Sequence, residues 1–214
     1  MTETLLIILL TAAAYLLGSV SNAVWIGKKV YGTDVREHGS HNAGATNTMR
    51  ILGRRAGIAV FVLDFLKGFI AVSLAALLPY AAGSPALFNM KFVLTAAVVL
   101  GHIFPLFAGF RGGKGVATLA GAVLAVYPPA VLLCLATFAV VFMLCRYVSL
   151  ASMTAGILLP VYTVFVFGQH YLPLILFCCA VSVLLLITHR KNIGRLLAGT
   201  EPKTYFHKRP DRTE

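Results

Sequence analysis

Carboxylates are scarce in this sequence. Seven Asp and Glu are dispersed among 214 residues, against eighteen Lys and Arg and six unclustered His. Such a set offers no metal-ligand constellation, and no cofactor is expected. Cysteine is equally sparse: Cys134, Cys145, Cys178 and Cys179 lie inside apolar runs without ligand-type spacing, which suits small buried packing residues. No internal repeat or linker divides the chain, and the polar end at 204–214 is expected to be a flexible tail. A basic n-region with a small-residue cleavage site is also missing, since Glu3 is the only charge before the first apolar run, so that run is expected to be a retained helix. Without a basic face interleaved with aromatics, the net charge of +11 does not point to nucleic acid.

Apolar residues are abundant. They make up 59% of the chain, against 12% charged residues, more than a soluble domain carries. The runs at 5–27, 58–80, 93–110 and 173–188 approach or reach the roughly 17–25 residues that cross hydrocarbon as a helix. The chain therefore reads as an all-α integral membrane protein, one membrane-embedded domain over residues 1–203.

Charge fixes the expected topology. Lys28, Lys29, Arg36, Arg50, Arg54 and Arg55 follow the first run, whereas the break at 81–91 has one lysine, so the first loop is placed in the cytoplasm and the N-terminus outside. Helices over 56–80 and 92–110 then return Arg111 and Lys114 to the inner side. The apolar stretch from 115 to 145 is too long for one straight span, and Pro128 and Pro129 divide it into helices over 115–127 and 129–145. Helices over 149–167 and 173–188 turn at Gly168, Gln169 and His170 and leave a basic, cytoplasmic C-terminus. Seven spans satisfy every charge cluster.

Three glycine-rich cationic segments, 36–55, 110–118 and 189–203, hold most of the charge. Each supplies cations, hydrogen-bond donors and glycines that let backbone N–H groups approach an anion, as a phosphate requires. The first runs from Gly39 to Arg50 and contains Ser40, Asn42, Gly44, Thr46 and Asn47. It reads as an anion cradle at a re-entrant loop or helix start, although a capped turn would use the same residues. The second contains Gly112-Gly113-Lys114-Gly115 just before a helix. It differs from a nucleotide-binding loop because Gly115 follows the lysine and no strand precedes it. In the third, His189, Asn192 and Arg195 are spaced three apart and can share a helix face. A basic helix touching lipid headgroups would explain Arg190 and Lys191 but not Asn192 or Glu201. Asp64 and Lys67 lie three apart within the second span and are expected to neutralise each other or to meet residues of the three segments, with His102 bracing the second segment.

These three blocks, in this order, together with 146–149 and 64–68, resemble the signature motifs of the bacterial acyl-phosphate:glycerol-3-phosphate acyltransferases, and the likeness covers the whole chain. His41 and Ala43 stand where that family often has Gly and Pro, and Arg111 where it commonly has Lys. The resemblance implies a catalytic domain in the bacterial cytoplasmic (inner) membrane, with its loops on the cytoplasmic face. It would move a fatty acyl group from acyl phosphate to the 1-hydroxyl of glycerol 3-phosphate, with lysophosphatidic acid and phosphate as products. The expected catalytic residues are Ser40, Arg50, Lys114, His189 and Asn192; the expected substrate-binding residues are Asn42, Gly44, Thr46, Asn47, Gly112, Gly113, Gly115, Arg195 and Glu201.

Both substrates are phosphates, so their repulsion must be offset by cations and N–H donors. Gly112, Gly113 and Gly115 with Ser40 and Asn42 are expected to hold one phosphate, and Arg50, Lys114, His189 and Asn192 the other. Glu201 is expected to orient Arg195 or another cation. The hydroxyl proton would pass to His189 or to the donor's own phosphate; no His here has Asp five residues on, unlike the dyad of thioester-dependent acyltransferases. Membrane lipids are expected partners, along with handover from the enzyme that forms the acyl phosphate and to the next acyltransferase. A small transporter or flippase for a phosphorylated metabolite or lipid is the rival reading, since cationic groups and broken helices also build carriers.

Overall fold

The computed structural model describes residues 2–205, all helix and loop with no strand among them. Most of the expected tail, 206–214, lies outside the described residues. Ten α-helices run in order: α1 (Glu3–Ser19), α2 (Asn22–Tyr31), α3 (Ala45–Leu52), α4 (Arg54–Ser73), α5 (Pro85–Ile103), α6 (Val116–Val126), α7 (Pro128–Cys145), α8 (Val148–Val161), α9 (Leu172–Thr188) and α10 (Arg190–Leu197). Among the described residues four helices are long and apolar enough to cross a membrane, or six if α1 with α2 and α9 with α10 each count as one bent span.

The first apolar run is not one helix, as expected, but two, bent by 43° at Val20 and Ser21. The cause lies on α4. Lys67 Nζ donates to the carbonyls of Gly18 at 3.0 Å and Val20 at 2.8 Å, and Asn22 Nδ2 donates to Asp64 Oδ1 at 2.9 Å. A helix break inside an apolar layer persists only where other groups satisfy the freed backbone. Lys67 also pairs with Asp64 at 3.1 Å, so one ammonium neutralises a buried carboxylate and closes the break. Lys67→Met is expected to cost about 3 kcal/mol, because a buried carboxylate loses its counter-charge. Thermal unfolding in detergent would measure it, and an unchanged midpoint would show that the break holds without the ammonium.

The 115–145 stretch divides at Tyr127, where the proline pair was expected to divide it. Pro128 and Pro129 lack the N–H groups that the carbonyls of Leu124 and Ala125 would otherwise receive. Lys91 supplies one replacement, its Nζ donating to Ala125 O at 2.7 Å. Lys91 belongs to α5, which begins seven residues earlier than expected, at Pro85. There Ser84 caps the helix by accepting from Leu87 N.

Helices α4 and α6 pack backbone to backbone. A Cβ on Gly68 would overlap the Thr118 carbonyl, and one on Gly121 the Phe65 carbonyl. Small residues permit this approach between apolar helices, which have no hydrophobic force of their own in lipid. The contact matters for function because α4 carries Asp64 and α6 starts at the Gly112–Gly115 segment. A buried cluster built on Leu94, Val98, Val72 and Ala122 continues the packing away from that segment.

Candidate active site

The third segment does not continue α9. The chain bends by 61° at His189, so α10 turns across the end of the bundle and brings Asn192 and Arg195 over the second segment. His189 and Asn192 are buried there. Lys114 Nζ donates to Asn192 Oδ1. The amide nitrogen of Asn192 donates to Glu201 Oε1 at 2.6 Å, Ser149 Oγ donates to the same oxygen at 2.6 Å, and Arg195 Nε donates to Glu201 Oε2 at 2.7 Å. One carboxylate therefore orients three groups. Because Asn192 presents its NH₂ to Glu201, its carbonyl is the end left to hold the Lys114 ammonium.

His189 Nδ1 lies 2.8 Å from Leu185 O. Facing a carbonyl, that nitrogen carries the hydrogen, which leaves Nε2 as the acceptor in the neutral ring.

The first segment folds around Asn47. Its Nδ2 donates to Val35 O at 2.7 Å and to His38 O and Asn42 O at 3.1 Å, and its Oδ1 accepts from Ser40 N at 2.9 Å. Asn47 is 1% exposed, so its amide is spent on shaping the loop that carries Ser40 and Asn42. Gly44 caps α3, and Arg50 sits one turn beyond Asn47 and contacts it at 3.5 Å.

These parts surround one cavity of about 340 Å³. Of the fourteen expected site residues, it brings together Ser40, Asn42, Gly44, Thr46, Asn47, Arg50, Lys114, Gly115, His189, Asn192, Arg195 and Glu201. Gly112 and Gly113 are not among its lining residues. Their N–H groups donate to Ile103 O at 3.1 Å and His102 O at 3.2 Å. They are small for another reason: a Cβ on Gly113 would strike the His102 ring, and one on Gly112 the His102 carbonyl. His102, held by Thr118 at 3.1 Å, thus braces the segment from below.

Sequence reasoning assigned no role in the site to Ser149, or to the apolar wall of Ile58, Phe61, Phe138 and Phe142 that lines the same cavity. Phe138 and Phe142 stack at 6.0 Å. The cavity therefore has two chemistries, a cationic end and an aliphatic-aromatic side, which suits a ligand that is phosphate at one end and hydrocarbon at the other.

The electrostatics follow from burial. Lys114 is pushed down to about 8 chiefly by desolvation, with Glu201 opposing and Arg195 and Arg50 adding to the fall. Arg50 is lowered mainly by burial as well. Burial would raise Glu201, but hydrogen bonds from Ser149, Asn192 and Arg195 outweigh it and hold the carboxyl below its usual range. The cations crowd one another and need an anion. The non-glycine residues with left-handed backbone among those described are His41 (φ 56°), Phe110 (φ 57°) and Arg146 (φ 63°), none of which lines the cavity. They lie in the first segment, in the second, and beside the strand of chain that carries Glu201, whose Thr204 N–H donates to Arg146 O at 2.9 Å.

Comparison with known proteins adds the following. A profile described as glycerol-3-phosphate acyltransferase matches residues 8–199. A glycerol-3-phosphate acyltransferase of Fusobacterium nucleatum is 42% identical over 192 residues, 90% of this chain and 95% of that one. One of Geobacillus kaustophilus is 45% identical over 203 residues, 94% and 95% of the two chains. The crystal structure of PlsY, an integral membrane glycerol 3-phosphate acyltransferase, in its glycerol 3-phosphate form superposes with a TM-score of 0.82 at 40% identity, over 93% of this chain and 96% of that one. Its lysophosphatidic acid form gives 0.79, over 94% and 96%.

Proposed function

This chain belongs to the glycerol-3-phosphate acyltransferase family, and on that premise we propose that it draws its acyl group from an acyl phosphate and uses the residues around the 340 Å³ cavity to do so. It is a multi-pass membrane enzyme that acylates glycerol 3-phosphate to lysophosphatidic acid. The observation that carries the donor assignment is the gathering of Lys114, Arg50 and Arg195 at one end of a cavity whose other wall is apolar. With Arg195 paired to Glu201, the charge left at this end suits a phosphate dianion, and the apolar wall beside it supports a donor that carries its acyl chain on that phosphate.

In the proposed reaction the 1-hydroxyl oxygen attacks the acyl carbonyl carbon. The bond from that carbon to the phosphate oxygen breaks, and the departing phosphate takes the hydroxyl proton, directly or through His189 Nε2. Lys114, held by Asn192, and Arg195, held by Glu201, stabilise charge on the phosphates. Preorganised cations in a partly desolvated site are worth far more than in water. An acyl phosphate is already activated, so positioning supplies much of the rate. With Gly112 and Gly113 engaged elsewhere, Ser40, Asn42 and Gly115 remain for the second phosphate.

The setting is inferred likewise. Counting α6 as a span, with the two bent pairs and the four long helices, gives seven, with the N-terminus outside and the cationic end of the cavity in the cytoplasm of a bacterial inner membrane. The acyl-phosphate-forming enzyme and the next acyltransferase are the natural neighbours for handover.

Purified protein in detergent or lipid, given palmitoyl phosphate and glycerol 3-phosphate, should release phosphate and lysophosphatidic acid in equal amounts. Product from palmitoyl-CoA alone would overturn the donor assignment.

A further inference from the structure

We propose that Arg36, which does not line the cavity, is a positioning residue that fastens the loop of the first segment to the loop that delivers Lys114. Its guanidinium is used on both sides. Nε and Nη2 hold Asp34 at 3.0 and 2.7 Å, while Nη1 donates across the fold to Ala108 O at 2.6 Å and Arg111 O at 3.2 Å. The pair is sequestered, with the Arg36 and Asp34 side chains 12% and 8% exposed. A planar five-donor fork can meet a carboxylate and two carbonyls at once, which an ammonium cannot do with the same reach.

The first loop is continuous with this fork. Arg36 O faces His41 Nδ1 at 3.1 Å, and the carbonyls on either side, Val35 O and His38 O, are those Asn47 gathers. Ser40 and Asn42 are thus built on the backbone that carries Arg36. The second loop is pinned from two directions. Its amides go to the end of α5 and just beyond it: Gly112 N to Ile103 O, Gly113 N to His102 O and Phe110 N to Pro105 O at 2.9 Å. Its carbonyls at 108 and 111 go to Arg36. Between these anchors Gly109 and Phe110 take left-handed backbone, a conformation that Phe110 holds only under external constraint. Lys114 follows three residues after Arg111. Releasing Arg36 therefore frees the side of the loop that faces the first segment, and the spacing between the groups from the two segments drifts.

The test uses the full-length protein with Arg36→Lys, which keeps the charge and loses the fork, and Asp34→Asn, which keeps the carbonyl bonds and loosens the anchor. Arg36→Lys is expected to lower kcat/KM about thirtyfold, mostly in kcat, within the range that small misplacements cost. Hydrogen exchange at residues 108–113 is expected to quicken about tenfold, without a matching change in α5 and α6. The alkaline limb of kcat/KM should also move up, because Lys114, faced by Arg50 of α3, by His189, by Arg195 of α10 and by Glu201, becomes better hydrated. Activity within threefold of the parent would overturn the proposal, and so would unchanged exchange at 108–113 or exchange quickened evenly along the chain. Should Arg36→Lys not fold, Asp34→Asn carries the same exchange criterion. The activity readings rest on the acyl-phosphate reading, but exchange does not. If the parent protein turned over no acyl phosphate, the donor assignment would fall while exchange still decided Arg36.

Discussion

Replacing Lys114 by methionine is expected to lower kcat/KM about a thousandfold, close to the 4 kcal/mol that a preorganised charge-stabilising donor supplies. Methionine keeps the length and apolar body of the side chain and removes only the ammonium. The cost is high because Lys114 is buried beside two arginines and bonded to Asn192, so no solvent cation can take its place. Its depressed pKa adds a second signature. The ammonium is present below about 8 and is lost as pH rises through that value, so kcat/KM, which reports the free enzyme, should fall above pH 8. Bound phosphate favours the charged form, so the corresponding fall in kcat at saturating substrate should come at higher pH. Steady-state rates from pH 6 to 10 would test both points. A flat kcat/KM across this range, or a methionine variant within tenfold of the parent, would remove Lys114 from the chemistry.

Glu201→Gln is expected to lower kcat/KM about three hundredfold, equivalent to about 3.4 kcal/mol at 1.36 kcal/mol per decade. The carboxylate accepts from Ser149, Asn192 and Arg195 through both oxygens. A glutamine can accept on one side only, and its NH₂ must face a donor on the other. Arg195 loses its counter-charge in either orientation, and with the NH₂ on the Asn192 side Asn192 must also flip and turn its own NH₂ toward Lys114, which disturbs the cationic end further. The loss should appear mainly in kcat, with the folded fraction unchanged by gel filtration. Glu201→Asp, which keeps the charge but shortens the reach, should recover part of it. A glutamine variant with normal kcat would mean that Asn192 and Arg195 hold their positions without this anchor.

Much of this arrangement was legible in the chain. The proline pair placed the break at 127, Arg146 the one beside it, and the polar breaks at 81–91 and 168–170 those near 80 and 168, because missing N–H groups and polar turns leave their mark locally. The break at Val20 was not legible. Ser19, Ser21 and Asn22 interrupt the apolar run only briefly, and the groups that stabilise the break, Lys67 and Asp64, belong to another helix. Twelve of the fourteen expected site residues line the cavity; Gly112 and Gly113, read in the chain as part of an anion nest, do not. The same small residue also serves a tight packing contact, and only the position of His102 decides between them. Ile58, Phe61, Phe138 and Phe142 could not be singled out at all. On a membrane helix an apolar residue that faces substrate looks like one that faces lipid.

The three left-handed residues have a consequence for how this protein can change. Each holds a side chain in a backbone basin that costs roughly 1 kcal/mol and that glycine enters freely. His41, Phe110 and Arg146 lie in the loops that connect and deliver the cavity's residues and not in its lining, so this cost is carried by the connections. Selection for heat resistance alone would drift these positions toward glycine. Their side chains therefore mark where durability has been traded for a fixed arrangement of loops, and those loops are where the folded protein should first loosen on warming.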